Sequence, residues 1–396
     1  MRWRRAWIPA TATPTALAAM LWILCSPRVH ARLLALAEGV REHPFPLVST
    51  AGPGVVENWV RAWLTRPPRS GPEVGSSSGG GPWREEVPAP LVHDVWQPAA
   101  QWLQVGVLLA LCAVGVLWTV RRFPPGRASH RVLIPLCVWA WTTASAAVAI
   151  PAGHLLRALP RGHFSRRELI GSAMTEGLPL IALLAVPTAL VALAAAGFAR
   201  SLPRLTPPRP EPALPAPPTP EAALTAGLAG GVVTGALLLF TLAPLWERLL
   251  LDTPLHRLPA AITRWLLPVA GSAEASEGVR LYGSGVRAVV PATIVVVAGL
   301  VVAARLSRGR SPLDLGVLGV VTAVCATTLA FPILWITRPP RDLALSLDHA
   351  YHHLPGMLTA GFLSGLVTAL VLRRVERGGG AGGVGSAGNR ASVGGS

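Results

Sequence analysis

The sequence predicts an all-α fold, a polytopic transmembrane bundle of about eight helices, and three observations predict it. First, 51% hydrophobic residues against 14% charged ones give a mean hydropathy of +0.48. A soluble chain of 396 residues would have to clothe such a surface in polar groups. Second, the apolar residues gather in runs long enough to cross a hydrocarbon core of ~30 Å, which takes about 20 residues of helix. Third, the basic residues punctuate these runs. A nucleic-acid binder would cluster them on one face with aromatic interleaving, so the net charge of +16 is read as topological. The expected partner is the lipid bilayer, with other membrane subunits or a second copy of the chain possible and no nucleic acid. All 35 basic residues are Arg, which together with the Ala, Gly and Pro excess reads as GC-rich coding.

The runs lie near residues 6–25, 98–120, 132–151, 177–198, 222–246, 288–304, 315–336 and 355–372. The first follows the basic "MRWRR" and precedes "VHA", which ends at Ala31, a pattern shared with cleaved signal peptides. Pro27 and Arg28 suit such a site poorly, and the duplication described below needs this helix, so the expectation is an uncleaved anchor. Leu24 is too bulky, just before Cys25, for a lipoprotein signal.

Arginine sets the orientation. The segments 1–5, 121–131, 199–221, 305–314 and 373–396 hold 17 Arg and four acids. The alternate segments 26–97, 152–176, 247–287 and 337–354 hold 18 Arg and 15 acids over about twice the length. The first set is expected to face the cytoplasm, which puts both termini inside a plasma-membrane protein and the larger loops outside. Cys25, Cys112, Cys137 and Cys325 all fall in or at the end of predicted spans. No disulfide framework is expected in the outer loops.

Four matches recur in order at offsets of 180 to 185 residues. They are "RFPPGR" (122–127) with "RLSRGR" (305–310), Thr142 with Thr327, "RALPR" (157–161) with "RPPR" (338–341), and "TALV" at Thr188 with "TALV" at Thr368. They predict a four-helix unit used twice, in parallel, about an axis along the membrane normal. The expected domains are a first repeat at 1–201 with its long outer loop 26–97, a Pro-rich cytoplasmic linker at 202–220, a second repeat at 221–377, and a Gly/Ser-rich disordered tail at 378–396. The outer-loop surplus of the first copy includes the flexible "GSSSGGG", while "GVGSAG" in the tail fits GxGxxG without the strand and helix that would give it meaning. In the outer loops, "VVENWVRAWL" (55–64) sets Val55, Val56, Trp59, Val60, Trp63 and Leu64 on one helical face, and "AITRWLL" (261–267) reads alike. Each is an amphipathic helix, lying in the headgroup layer or capping the bundle from outside.

The spans hold no ionisable residue in their central stretches, which argues against a proton pump working through a carboxylate relay. They hold instead a tandem GxxxG at Gly227, Gly231 and Gly235, and Gly361 with Gly365, expected at close helix contacts. Thr142, Thr143, Thr327 and Thr328 form a candidate intramembrane polar surface along which a substrate would pass.

One outer turn is unusual. "DHAYHHLPG" (348–356) holds three of the ten histidines and one of the two tyrosines. His349 and His353 share a helical face, as do Asp348 and His352, and two such imidazoles can ligate one metal ion. His154 and His163 in the matching loop of the first copy are the candidates for a further ligand. The glutamate of HExxH is missing, and His and Tyr are at home at an interface, so the leading expectation is an interfacial turn anchoring the eighth helix. No cofactor is specified. Three functional readings follow. One is a permease-like or complex-forming membrane subunit. Another is an envelope enzyme acting on a lipid-linked or cell-wall substrate, with His154, His163, Asp348, His349, His352 and His353 as acid/base or metal groups. The last is a scaffold for membrane assembly.

Overall fold

The computed structural model describes residues 2–25, 93–123, 128–158, 177–202, 217–242, 275–306, 311–337, 351 and 354–381, together with 29, 32, 59 and 63. Among these residues there are eight long helices and no strand: α1 Arg2–Cys25, α2 His93–Arg122, α3 Ala128–Ala158, α4 Leu178–Ser201, α5 Pro220–Leu242, α6 Ala275–Leu306, α7 Pro312–Thr337 and α8 Leu354–Ala381. All 8 are long and apolar enough to cross a membrane. Inside lipid every backbone polar group must be satisfied within the segment, which is why such runs become helices.

Local chemistry sets the helix starts. Thr219 caps α5: its hydroxyl accepts from the Ala222 amide at 3.3 Å, and Pro220 follows where a missing N–H costs nothing. Ser311 caps α7 in the same way, accepting from the Asp314 amide at 3.1 Å with Pro312 next. At α4 the start is Gly177, whose φ of 85° is left-handed, a conformation that a side chain would strain.

Three boundaries differ from the sequence reading. Helix α3 continues through Pro151 to Ala158, because Gly153 lets it press against Gln104 and the Ala100 carbonyl of α2. His154 therefore stands on a helix and not in a loop. Helix α6 begins at Ala275, well ahead of its apolar part at Val289. Helix α8 runs on to Ala381, since a helix already nucleated adds even glycines at only about 1 kcal/mol each relative to Ala.

Each half closes a ring in chain order. Helices α1, α2, α3 and α4 pack as successive neighbours with α4 returning to α1, and α5, α6, α7 and α8 do the same with α8 returning to α5. Neighbours run antiparallel where residue contacts fix the register. Gly227, Gly231 and Gly235 of α5 lie against Val301, Val297 and Thr293 of α6, and Gly319 of α7 lies against Gly361 of α8 while Leu315 meets Gly365. The halves meet chiefly where α3 packs on α7, with a smaller contact of α3 to α8.

Lipid tails are as apolar as leucine, so association in a bilayer rests on close packing and interhelical hydrogen bonds. The buried core is accordingly alanine-rich, with Ala140, Ala146, Ala147 and Ala149 of α3 fully enclosed. Two tryptophans then tie α3 to both neighbours. Trp139 donates its indole N–H to the Ala182 carbonyl of α4 at 3.0 Å, and Trp141 to the Leu111 carbonyl of α2 at 2.7 Å. Two positions apart on a helix is about 200° of rotation, so adjacent tryptophans point opposite ways. The Trp141 ring fits because α2 offers Gly115 there; a methyl group would overlap the indole. Trp118 stacks on its other side, with ring centroids 6.4 Å apart.

Exposed tryptophans mark the membrane edges. On α1, Trp7 and Trp22 are both exposed and stand about 22 Å apart along the axis. Trp102, at the start of the α2 span, is exposed as well. Amphipathic rings prefer the headgroup level. The charges in the spans gather at one end of the bundle, with Arg121 and Arg122 closing α2, Arg200 closing α4, Arg305 closing α6, and Asp314 opening α7.

Candidate functional site

Just ahead of α8 a tyrosine packs against α7. Tyr351 is buried, and its hydroxyl lies 3.1 Å from the Thr328 hydroxyl on α7. Thr328 also donates to its own Val324 carbonyl at 2.9 Å. The Tyr351 oxygen is thus the acceptor when Thr328 bonds both ways only if the threonine proton is shared; otherwise Tyr351 donates to Thr328. Burial pushes the phenol's pKa up, and the Thr328 hydrogen bond works against that. Asp348, His349, His352 and His353 lie outside the described residues, as do His163 and the side chain of His154.

Two tryptophans between α1 and α2 are held in a similar manner. Trp59 and Trp63 have helical backbone and are both buried in the core of the first half, and Trp63 donates its indole N–H to the Gly177 carbonyl at 2.9 Å. The rest of 55–64, and all of 261–267, lie outside the described residues.

The four candidate polar-surface threonines make different contacts. Thr142 meets the Cys112 thiol of α2, 3.4 Å from oxygen to sulfur. Thr143, Thr327 and Thr328 each donate to the carbonyl four residues earlier on their own helix, at Trp139, Ala323 and Val324. Such back-bonding satisfies a hydroxyl's proton without a partner helix and leaves both lone pairs of its oxygen for other donors. The two "TALV" threonines behave alike: Thr188 donates to Leu184 and Thr368 to Ser364, and both are fully buried. A polar contact between helices appears where Thr234 of α5 and Ser364 of α8 lie 2.6 Å apart.

Glycines bring the second half closest together. At Gly227 and Gly231 a methyl group would press on Val301 and Val297, whereas at Gly235 it would make only ordinary contact with Thr293. At Gly361 and Gly365 the neighbours are backbone carbonyls, of Gly319 and Leu315. Gly316 and Gly319 on the facing side of α7 complete that contact, while Gly230 of α5 lies under Thr368 and the Ser364 carbonyl on another side of α8. Spacing in the sequence did not single out these last three.

Among the described residues an ion pair joins the halves. Arg122, ending α2, places Nη2 at 2.8 Å from Oδ2 of Asp314 in the first turn of α7. The approach is close but not aligned for a hydrogen bond, and the buried Nε of Arg122 has no hydrogen-bond partner. Sequence reading missed this pair, although Ser311 and Asp314 have the spacing of a capping box. Nothing in the sequence links residues 192 positions apart.

Compared with known proteins, the sequence matches no protein-family model, and no curated protein or solved structure is similar to it. Eight helices of membrane-spanning length and hydropathy, in an all-helical chain, are consistent with the class of multi-pass membrane protein.

Proposed function

We propose that this chain is a permease-like integral membrane subunit built from two copies of one four-helix unit, working by motion of one half against the other. The observation that carries the reading is the order of packing: both halves close the same ring, and they meet through the like-placed helices α3 and α7. Contacts at matching heights add to it. Trp139 pairs with Ala182 in one half and Ala323 with Gly361 in the other, and Ala323 stands 184 residues after Trp139 while Gly361 stands 179 after Ala182. These offsets fall next to those of the sequence matches. Spans without central charges suit such a subunit better than a proton pump.

In this reading the arginine-rich end faces the cytoplasm, with both termini. The second reading, a static scaffold, is favoured by one observation: Thr143, Thr327 and Thr328 bond to their own helices, so their hydroxyls need no water-filled path.

Single-cysteine labelling with an impermeant thiol reagent, in a background lacking the four native cysteines, separates the two readings. Ser77→Cys is expected to label from outside and Arg127→Cys from the cytoplasmic side; the reverse pattern overturns the orientation. Cysteines at Thr142, Thr143, Thr327 and Thr328 come next. A permease exposes at least one of them to an aqueous side during its cycle. If all four stay inert from both sides, the permease reading fails and the scaffold remains.

A further inference from the structure

We infer that the Arg122–Asp314 ion pair is a releasable latch at the arginine-rich end of the inter-half contact, holding the bundle in one arrangement of its two halves. The inference rests on the two-half reading above. Several observations lead to it. The pair connects the last turn of α2 in one half to the first turn of α7 in the other. The side-chain hydrogen bonds named above that join two helices, Cys112 with Thr142, Trp139 with Ala182, Trp141 with Leu111 and Thr234 with Ser364, each stay within a single half. The side-chain hydrogen bonds named for α3 and α7 stay on those helices or within their own half, and Cys137 of α3 and Cys325 of α7 belong to one packed core. Apolar surfaces slide and part without orphaning polar groups. Among the contacts named above, the ion pair is the one that joins charges across the halves and so favours one arrangement.

The same geometry makes the pair releasable. Its side chains keep 24% and 17% of their exposure, while the Nε and Nη2 of Arg122 are themselves buried, so water screens the pair only in part. Asp314 does not depend on Arg122 alone: its amide bonds the Ser311 hydroxyl, and its carboxylate sits in the first turn of α7, where the helix dipole favours a negative charge. Arg122 is under-bonded, since its Nε is without a hydrogen-bond partner and Nη2 is poorly aligned, so another acceptor or water would serve it at least as well. A pair with a solvated, self-sufficient acid and an under-bonded base is held lightly. The latch is also one-sided. At the offset of the duplication Arg122 corresponds to Arg305, while the position matching Asp314 is Arg131, so the equivalent positions hold two bases, both of them exposed, and offer no second ion pair.

Native Cys137 reports on the latch, because it is buried beside the inter-half contact. In full-length protein in native membranes, with Cys25→Ser, Cys112→Ala and Cys325→Ala leaving Cys137 alone, the rate of alkylation by N-ethylmaleimide measures how often the halves part. Asp314→Asn and Arg122→Gln are each expected to raise that rate about five- to tenfold. The double variant should be no faster than either single one, since both changes remove one interaction. Unchanged rates, or effects that multiply in the double variant, overturn the latch. A companion chain that keeps only Cys112, enclosed between α2 and α3 of one half, should stay slow throughout. If Cys112 speeds up together with Cys137, the halves do not move as units and the two-half reading falls as well. If neither thiol responds, only the latch falls.

Discussion

Gly319→Val should prevent the chain from accumulating as a folded protein, and Gly319→Ala should already lower its stability sharply. A methyl group at Gly319 would overlap the carbonyl of Gly361, one at Gly361 the carbonyl of Gly319, and one at Gly365 the carbonyl of Leu315. A side chain in the way can rotate, but a helix backbone has to move as a whole. Contacts this close also place Cα hydrogens against carbonyl oxygens, a weak attraction repeated along the seam. Overpacking an ordinary core costs about 1–3 kcal/mol, and here the displaced element is a backbone, so the loss should reach the upper end or beyond. The control is internal to the protein. Gly106 and Gly197 have nothing within 4 Å of where a side chain would begin. Gly106→Ala and Gly197→Ala should leave the fold intact or gain up to about 1 kcal/mol from helix propensity. Size-exclusion chromatography after graded heating, on detergent-solubilised protein, gives the comparison. Equal survival of Gly319→Ala and Gly106→Ala would mean that α7 and α8 do not meet backbone to backbone.

The second large effect is expected at Tyr351. Truncation to Ala empties a buried aromatic site at the mouth of the second half, a change that costs about 3–5 kcal/mol in large-to-small series. Tyr351→Phe removes only the hydroxyl contact with Thr328 and should cost about 1 kcal/mol. The tyrosine also predicts a response to alkali. Burial raises its pKa above the ordinary 10.0, so the fold favours the neutral phenol. The resulting stabilisation is complete below pH 10 and is lost as the pH climbs through the raised native value. Wild-type protein should therefore lose stability above pH 10 by a component that Tyr351→Phe lacks. Thermal unfolding followed by tryptophan fluorescence from pH 8 to pH 11 tests both parts. Parallel pH curves for the two proteins would refute the alkaline component.

Much of the architecture was legible because a bilayer imposes few alternatives. The eight runs read from hydropathy overlie the eight spans, and the helices α3, α6 and α8 extend well beyond them. Such extensions carry ordinary mixed sequence, and hydropathy does not mark where a helix stops. The contacting faces were far less legible. A helix apolar all round carries little periodic signal, so nothing distinguishes the side of α3 that meets α7 from the side that meets lipid. GxxxG spacing draws the eye to Gly361 and Gly365, but their partners Gly316 and Gly319 are three apart and pass unnoticed. Trp139 and Trp141 read as generic aromatics until the neighbouring carbonyls are in place. "DHAYHHLPG" drew attention for its histidines, yet Tyr351 is the residue of that turn whose role the structure describes.

The confinement of charge to the ends of the spans has an electrical consequence. A membrane potential does work of about 2.3 kcal/mol per 100 mV on each elementary charge carried fully across. The spans hold their ionisable groups in the first or last turns, as Arg122, Arg200, Arg305 and Asp314 do, and so keep them at the margin of the field. Opening and closing of the two halves would then shift almost no gating charge. The equilibrium between their arrangements should be the same in an energised membrane as in a depolarised one.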